Sequence, residues 1–189
     1  VLIIAHSLGV QAALTALHTL PAHASDRMVL LTGASYLRHA HNMLNSAAGR
    51  TVEVLNVTSR ENDLFDLAFE RLVRPSLAGD HAIGQGIAAQ NVANVQIDCT
   101  DTLRGLRSLG FAVSSPSRRV CHWSAYKRAG IMARYRAFLR QPQDLPLTHL
   151  QSILPDQSAP RWSRLLTLPR PSFPRTDIAL PLPAHRLGS

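Results

Sequence analysis

Apolar positions in this chain fall into short unbroken runs, separated by longer stretches with helical spacing. Residues 1–5 (Val-Leu-Ile-Ile-Ala) are continuously apolar, which predicts a strand buried on both faces. Residues 9–20 put Val10, Ala13, Leu14 and Leu17 on one side of a helix that Pro21 ends. Residues 28–32 predict a second buried strand closed by Gly33, and residues 37–48 a helix or lid-like segment. A third strand is predicted over 51–58. Residues 63–73 read as an amphipathic helix with Leu64, Leu67, Ala68 and Leu72 on its apolar face. Residues 79–93 read as a Gly- and Ala-rich loop, 95–98 as a short fourth strand and 102–109 as a helix. Residues 129–139 predict a helix with Ile131, Tyr135 and Phe138 facing inward. Strands alternating with helices predict an α/β fold with a mostly parallel sheet and helices on both faces.

The texture changes at Pro142. Nine of the twelve prolines lie within 142–183, which argues against long helices or central strands there. The expected organisation is a domain over 1–140 and a Pro-rich extended tail over 141–189, anchored through Trp162, Leu165, Leu166 and Leu168.

Composition changes this picture little. An apolar fraction of 46% suits a globular domain, and no apolar run nears the ~20 residues of a membrane span. The net charge of +8 raises nucleic acid as a partner. However, all the basic residues except Lys127 are Arg, and they are scattered. The densest group is Arg118, Arg119, Lys127, Arg128, Arg134, Arg136 and Arg140, which reads as a solvated helix face, so no nucleic-acid partner is expected. Cys99 and Cys121 form no C-x-x-C pair, which points to a reducing, cytoplasmic setting by default. His39-Ala40-His41 has no third ligand nearby in sequence, so neither a metal nor another cofactor is expected. Gly84-Gln85-Gly86 is a bare glycine fragment and reads as loop.

The chemistry concentrates at Ala5-His6-Ser7-Leu8-Gly9. An apolar strand runs into a small-x-Ser-x-small turn, and a helix follows at once. This is the layout of a nucleophile elbow, in which a strained turn lifts the serine above the sheet. Small residues at positions 5 and 9 are expected because neighbouring backbone passes close. His6 is expected to point away from Ser7 and to pack elsewhere. In these residues the chain resembles the α/β-hydrolase superfamily, over residues 1 to about 140. Ala5 in place of the first glycine is similar to some bacterial lipases.

The resemblance implies strands five to eight of that fold and a triad in chain order Ser, acid, His. Ser7 is then the nucleophile. The acid follows the 51–58 strand, in Ser59-Arg60-Glu61-Asn62-Asp63-Leu64-Phe65-Asp66; Asp63 is the first choice, with Asp66 and Glu61 as alternatives. The base is His122, after a short approach strand ending in Val120-Cys121 and before the 129–139 helix, with His81 as the rival. Leu8 would give its N–H to the oxyanion, and a second donor would come from an earlier strand's loop. The implied function is a serine hydrolase acting on a small-molecule carboxylic ester, secondarily an amide, through an acyl-enzyme. A non-catalytic binding protein and an acyltransferase on the same triad are the alternatives. On this template the chain is a fragment lacking the first four strands. It is expected to be inactive alone and to expose the apolar edge of its first strand, an aggregation hazard.

Overall fold

The computed structural model describes residues 1–156 and 159–165. Four parallel strands form one sheet in the order β1-β2-β3-β4. They are β1 (Leu2–His6), β2 (Arg27–Leu31), β3 (Glu53–Thr58) and β4 (Val92–Gln96). Helix α1 (Leu8–Thr19) joins β1 to β2, and α2 (Leu37–Leu44) with α3 (Ala47–Thr51) joins β2 to β3. After β3 come a 3₁₀ turn (Arg60–Asn62), α4 (Asp63–Leu72) and a second 3₁₀ turn (Ile83–Gln85). Then follow α5 (Thr100–Ser108), α6 (Ser124–Lys127), α7 (Ile131–Arg140), α8 (Leu147–Ile153) and α9 (Trp162–Leu165).

The continuous apolar runs form strands because both faces of the sheet are covered. Met28, Leu30 and Val54 pack against Val10, Leu14 and Leu17 of α1, with Ala40, Leu44 and Ala48 of α2 and α3. On the opposite face Val29, Leu31, Leu55, Val57 and Val95 meet α5, α7 and α8 through Leu106, Ile131, Tyr135, Phe138 and Leu150. All of β2 is buried, so truncating one of its leucines to Ala would cost about 2–5 kcal/mol. The fold is α/β with an all-parallel sheet flanked by helices, as the alternation predicts.

The sheet's edges differ. Along β4, Asn94 exchanges two hydrogen bonds of 2.9 Å with the Ile87 backbone, and Gln151 donates to the Val92 carbonyl at 3.1 Å. Gln96 brackets the backbone of Ala159, donating at 3.1 Å and accepting at 2.6 Å. Among the described residues β1 pairs only with β2, and Leu2 and Ile4 are 45% and 48% exposed.

Four local expectations are corrected. Helix α4 presents its other side inward: Asp63, Asp66 and Phe69 are buried, while Leu64 and Leu72 are 55% and 80% exposed. No strand forms at Val120-Cys121. Two of the arginines assigned to a solvated face, Arg128 and Arg134, are buried. Arg134 lies against the Phe111 ring, 5.1 Å from its centroid, and burial pushes its guanidinium down to about 10. Beyond Pro142 the chain remains part of the core through Leu145 and through α8, where Leu147 and Leu150 are buried. Pro146 caps α8, a position where its missing N–H costs nothing. Of the expected tail anchors, Trp162 opens α9 and is partly exposed, whereas Leu166, Leu168 and the side chain of Leu165 lie outside the described residues.

Candidate active site

Ser7 stands between the last residue of β1 and the first of α1, with φ 55 and ψ −127. Positive φ is unfavourable for a residue with a Cβ and costs on the order of 1–3 kcal/mol. The turn is held from both ends. Ser7 N–H donates to the Leu31 carbonyl at 3.1 Å, and its carbonyl accepts from Val10 and Ala34, both at 3.0 Å. Thr32, at the end of β2, also has positive φ (40). The two neighbouring strand ends are therefore strained side by side. As the first residue of α1, Leu8 has an N–H with no acceptor in the helix, at its positive end. The expected crowding at Gly9 is absent: a Cβ there would meet nothing within 4 Å among the described residues.

His122 lies over the same strand ends. Its backbone carbonyl is 3.2 Å from His6 Nε2, and its ring centroid is 4.5 Å from that of His6. Phe65 stacks on its other side at 4.6 Å. His6 therefore does not pack away from the site; it forms a wall of it, with Tyr126 edge-on at 5.1 Å. The loop carrying His122 is tied to the turn after β3. Cys121 N–H donates to the Glu61 carbonyl at 2.8 Å, and the buried Arg128 guanidinium pairs with the Glu61 carboxylate and the Ile97 carbonyl.

The partner of His122 is Asn62, not Asp63. His122 Nδ1 is 2.6 Å from Asn62 Oδ1. The Asp63 carboxylate faces the other way, accepting from Ser163 N–H at 2.6 Å and Ser163 Oγ at 2.5 Å, with Arg161 Nε 3.1 Å away. The physical reason is the 3₁₀ turn ahead of α4. Its tighter winding brings Asn62 rather than the next residue toward the histidine. Of the two alternatives, Glu61 is committed to Arg128. Asp66 stands behind Asn62, accepting from its Nδ2 at 2.9 Å. Burial pushes the Asp66 carboxyl up to about 7, against the Arg161 charge that lowers it. Burial, aided by the neighbouring His6, lowers His122 below the ordinary histidine value. His122 is thus neutral, and able to act as a base, at neutral pH.

No family model, curated protein or solved structure matches this chain. The reading of the site therefore stands on its geometry. Among the described residues neither Ser7 Oγ nor His122 Nε2 has a hydrogen-bond partner. His81, the rival base, sits in the loop that leads to the second 3₁₀ turn; its backbone carbonyl accepts from Leu37 N–H at 2.8 Å. Among the described residues no three His, Cys, Asp or Glu side chains are grouped to hold a metal ion. No described helix is long and apolar enough to cross a membrane.

Sequence reasoning missed Asn62 and Arg161. For Asn62 the signal was present: Asn and two Asp within Asn-Asp-Leu-Phe-Asp all follow the correct strand. For Arg161 there was none, because it lies about a hundred residues from its partners.

Proposed function

We propose that this chain carries the nucleophile, base and orienting residue of an α/β-hydrolase-type serine hydrolase that cleaves a carboxylic ester through an acyl-enzyme. The observation that carries this reading is the strained Ser7 at the strand-to-helix turn, with His122 held over the same strand ends by a residue that follows β3. An unaided hydroxyl is a weak nucleophile. His122 Nε2 takes the Ser7 proton as Oγ attacks the ester carbonyl, and later protonates the leaving alcohol. Asn62 Oδ1 accepts from Nδ1–H and fixes the ring, as asparagine does in cysteine–histidine–asparagine sites. The Leu8 N–H, at the positive end of α1, supplies one oxyanion donor. Exposed Leu8, Phe65 and Trp123 around the pair favour an apolar group on the ester.

The test is fluorophosphonate labelling of the natural full-length protein, with peptide mapping. Label on Ser7, lost in both Ser7→Ala and His122→Ala, is expected; turnover of an activated ester should fall by about 10³-fold or more in each. Undiminished turnover in Ser7→Ala would overturn the scheme. Asn62 in the orienting position favours a second reading, a non-catalytic binding protein, because an amide gives the imidazolium no charge. A folded protein that takes no label would select that reading.

A further inference from the structure

The hydrogen-bond chain behind His122 does not end at Asn62. Asp66 accepts from Asn62 Nδ2, and Arg161 Nη1 lies 3.4 Å from the other Asp66 oxygen. Arg161 is itself buried and serves two further carboxylates of α4. Its Nε is 3.1 Å from Asp63, and its Nη2 donates to Glu70 at 2.9 Å and to Ser163 Oγ at 3.3 Å. Gly84, in the second 3₁₀ turn, closes the remaining side of Asp66: a Cβ there would sit 2.2 Å from Asp66 Oδ2.

The chain has a logical direction. An ionised carboxylate can only accept hydrogen bonds. Asn62 must then turn its NH₂ to Asp66 and its oxygen to His122. That oxygen can only accept, so the His122 proton must sit on Nδ1, and Nε2 keeps the lone pair that a base needs. Protonated Asp66 removes the constraint. Its O–H can donate to Asn62 Oδ1, the amide turns over, and its NH₂ then faces Nδ1. The ring proton moves to Nε2, the nitrogen that must accept from Ser7.

We infer that Asp66 is a positioning residue that selects the basic tautomer of His122 through the Asn62 amide, and that Arg161 holds Asp66 in the accepting, ionised state. This rests on the proposed roles of Ser7 and His122, but the tautomer can be read without activity. The charged and titratable groups facing Asp66 are Arg161, which favours its ionised form, and Asp63 and Glu70, which oppose it; the one acting on His122 is His6, which Tyr126 meets edge-on. Asp66 near 7 places the exchange within the physiological range.

The test is long-range ¹H–¹⁵N correlation of His122 in the histidine-labelled natural protein, with the backbone amide spectrum of the same sample reporting folding. Wild type should carry its proton on Nδ1 well above pH 7 and lose that preference as Asp66 protonates. In Asp66→Asn, donor-only Arg161 should claim the new amide's oxygen. Its NH₂ would then face Asn62, and the His122 proton should move to Nε2. Loss of kcat by about 10²–10⁴-fold with little change in KM should accompany it. Arg161→Gln should leave the high-pH tautomer intact and raise the midpoint of the exchange by about 1 pH unit or more. A proton that stays on Nδ1 in folded Asp66→Asn, or an unmoved midpoint in Arg161→Gln, would overturn the inference. Should Asp66→Asn not fold, the Arg161→Gln midpoint decides alone. Ser7 labelling with an unchanged tautomer rejects only this inference; a responsive tautomer without labelling rejects only the hydrolase reading.

Discussion

The two sides of the α4 N-terminus carry neighbouring residues with opposite fates. On one side Asn62 meets His122 with a neutral amide; on the other Asp63, with Glu70 further along, meets the Arg161 guanidinium. The side chains of Asn62 and Asp63 are nearly the same size, but successive helical residues point about 100° apart. The charge expected at the histidine is thus spent on holding the 159–165 segment to the domain. What reaches the histidine is an oriented dipole, with a buried carboxylate one hydrogen bond behind it. A carboxylate can therefore follow the correct strand in the correct order and still serve packing, because a one-residue rotation reassigns it.

Exchanging the roles should separate the two sides. The largest effect is expected from Asn62→Leu, which removes the orienting oxygen. Ester turnover should fall by about 10³–10⁴-fold, whereas Asp63→Asn should stay within about tenfold of wild type. A reversed order in the same assay would return the orienting role to Asp63.

The next effect is on stability against pH. The folded-state value of Asp66 is raised, to about 7 from 3.8. The stability it contributes is fully present below about pH 4 and is lost as pH rises through about 7. Melting temperature should therefore fall as pH rises from about 4 to about 7 and level off by about pH 8, by an amount worth a few kcal/mol at most, and Asp66→Asn should flatten that slope. The state that activates His122 is the one that burial opposes. A slope unchanged by the substitution would detach Asp66 from it.

A smaller change is expected from Gly84→Ala, whose methyl would press on Asp66 Oδ2 from the side opposite Asn62. A destabilisation of about 1–3 kcal/mol, read from urea unfolding, should come with reduced turnover. Asp63→Asn should be the mildest for stability, costing about 1–2 kcal/mol as Arg161 and Ser163 lose a charged acceptor, while leaving the His122 signals in place. Shifted His122 resonances there would mean that the two sides are not separable.

The strand at 28–32 was legible because a buried parallel strand is written as an almost unbroken apolar run; 51–58 is interrupted by Glu53 and Asn56 and forms β3 only from Glu53 on, and the fourth strand, expected over 95–98, runs Val92–Gln96. Ser7 and His122 could be placed by order along such a sheet. The inward face of α4 could not. Periodicity counts apolar residues, and here the buried stripe is Asp63, Asp66 and Phe69, made tolerable by a guanidinium from residue 161. Arg128 and Arg134 were misplaced for a similar reason: a basic run reads as a solvated face unless Glu61, or an aromatic face such as Phe111, is already known to lie beneath it. In α8 the helical spacing of Leu147 and Leu150 was present, but the density of prolines around it outweighed the pattern.

The positive φ of Ser7 has a consequence for how this chain can change over generations. Glycine would occupy that turn without the Cβ penalty, for a gain on the order of 1 kcal/mol after its greater chain entropy is counted. A population selected only for thermal robustness would therefore drift toward Ser7→Gly and lose the hydroxyl. The proposed nucleophile is thus a position that selection for stability alone would erase.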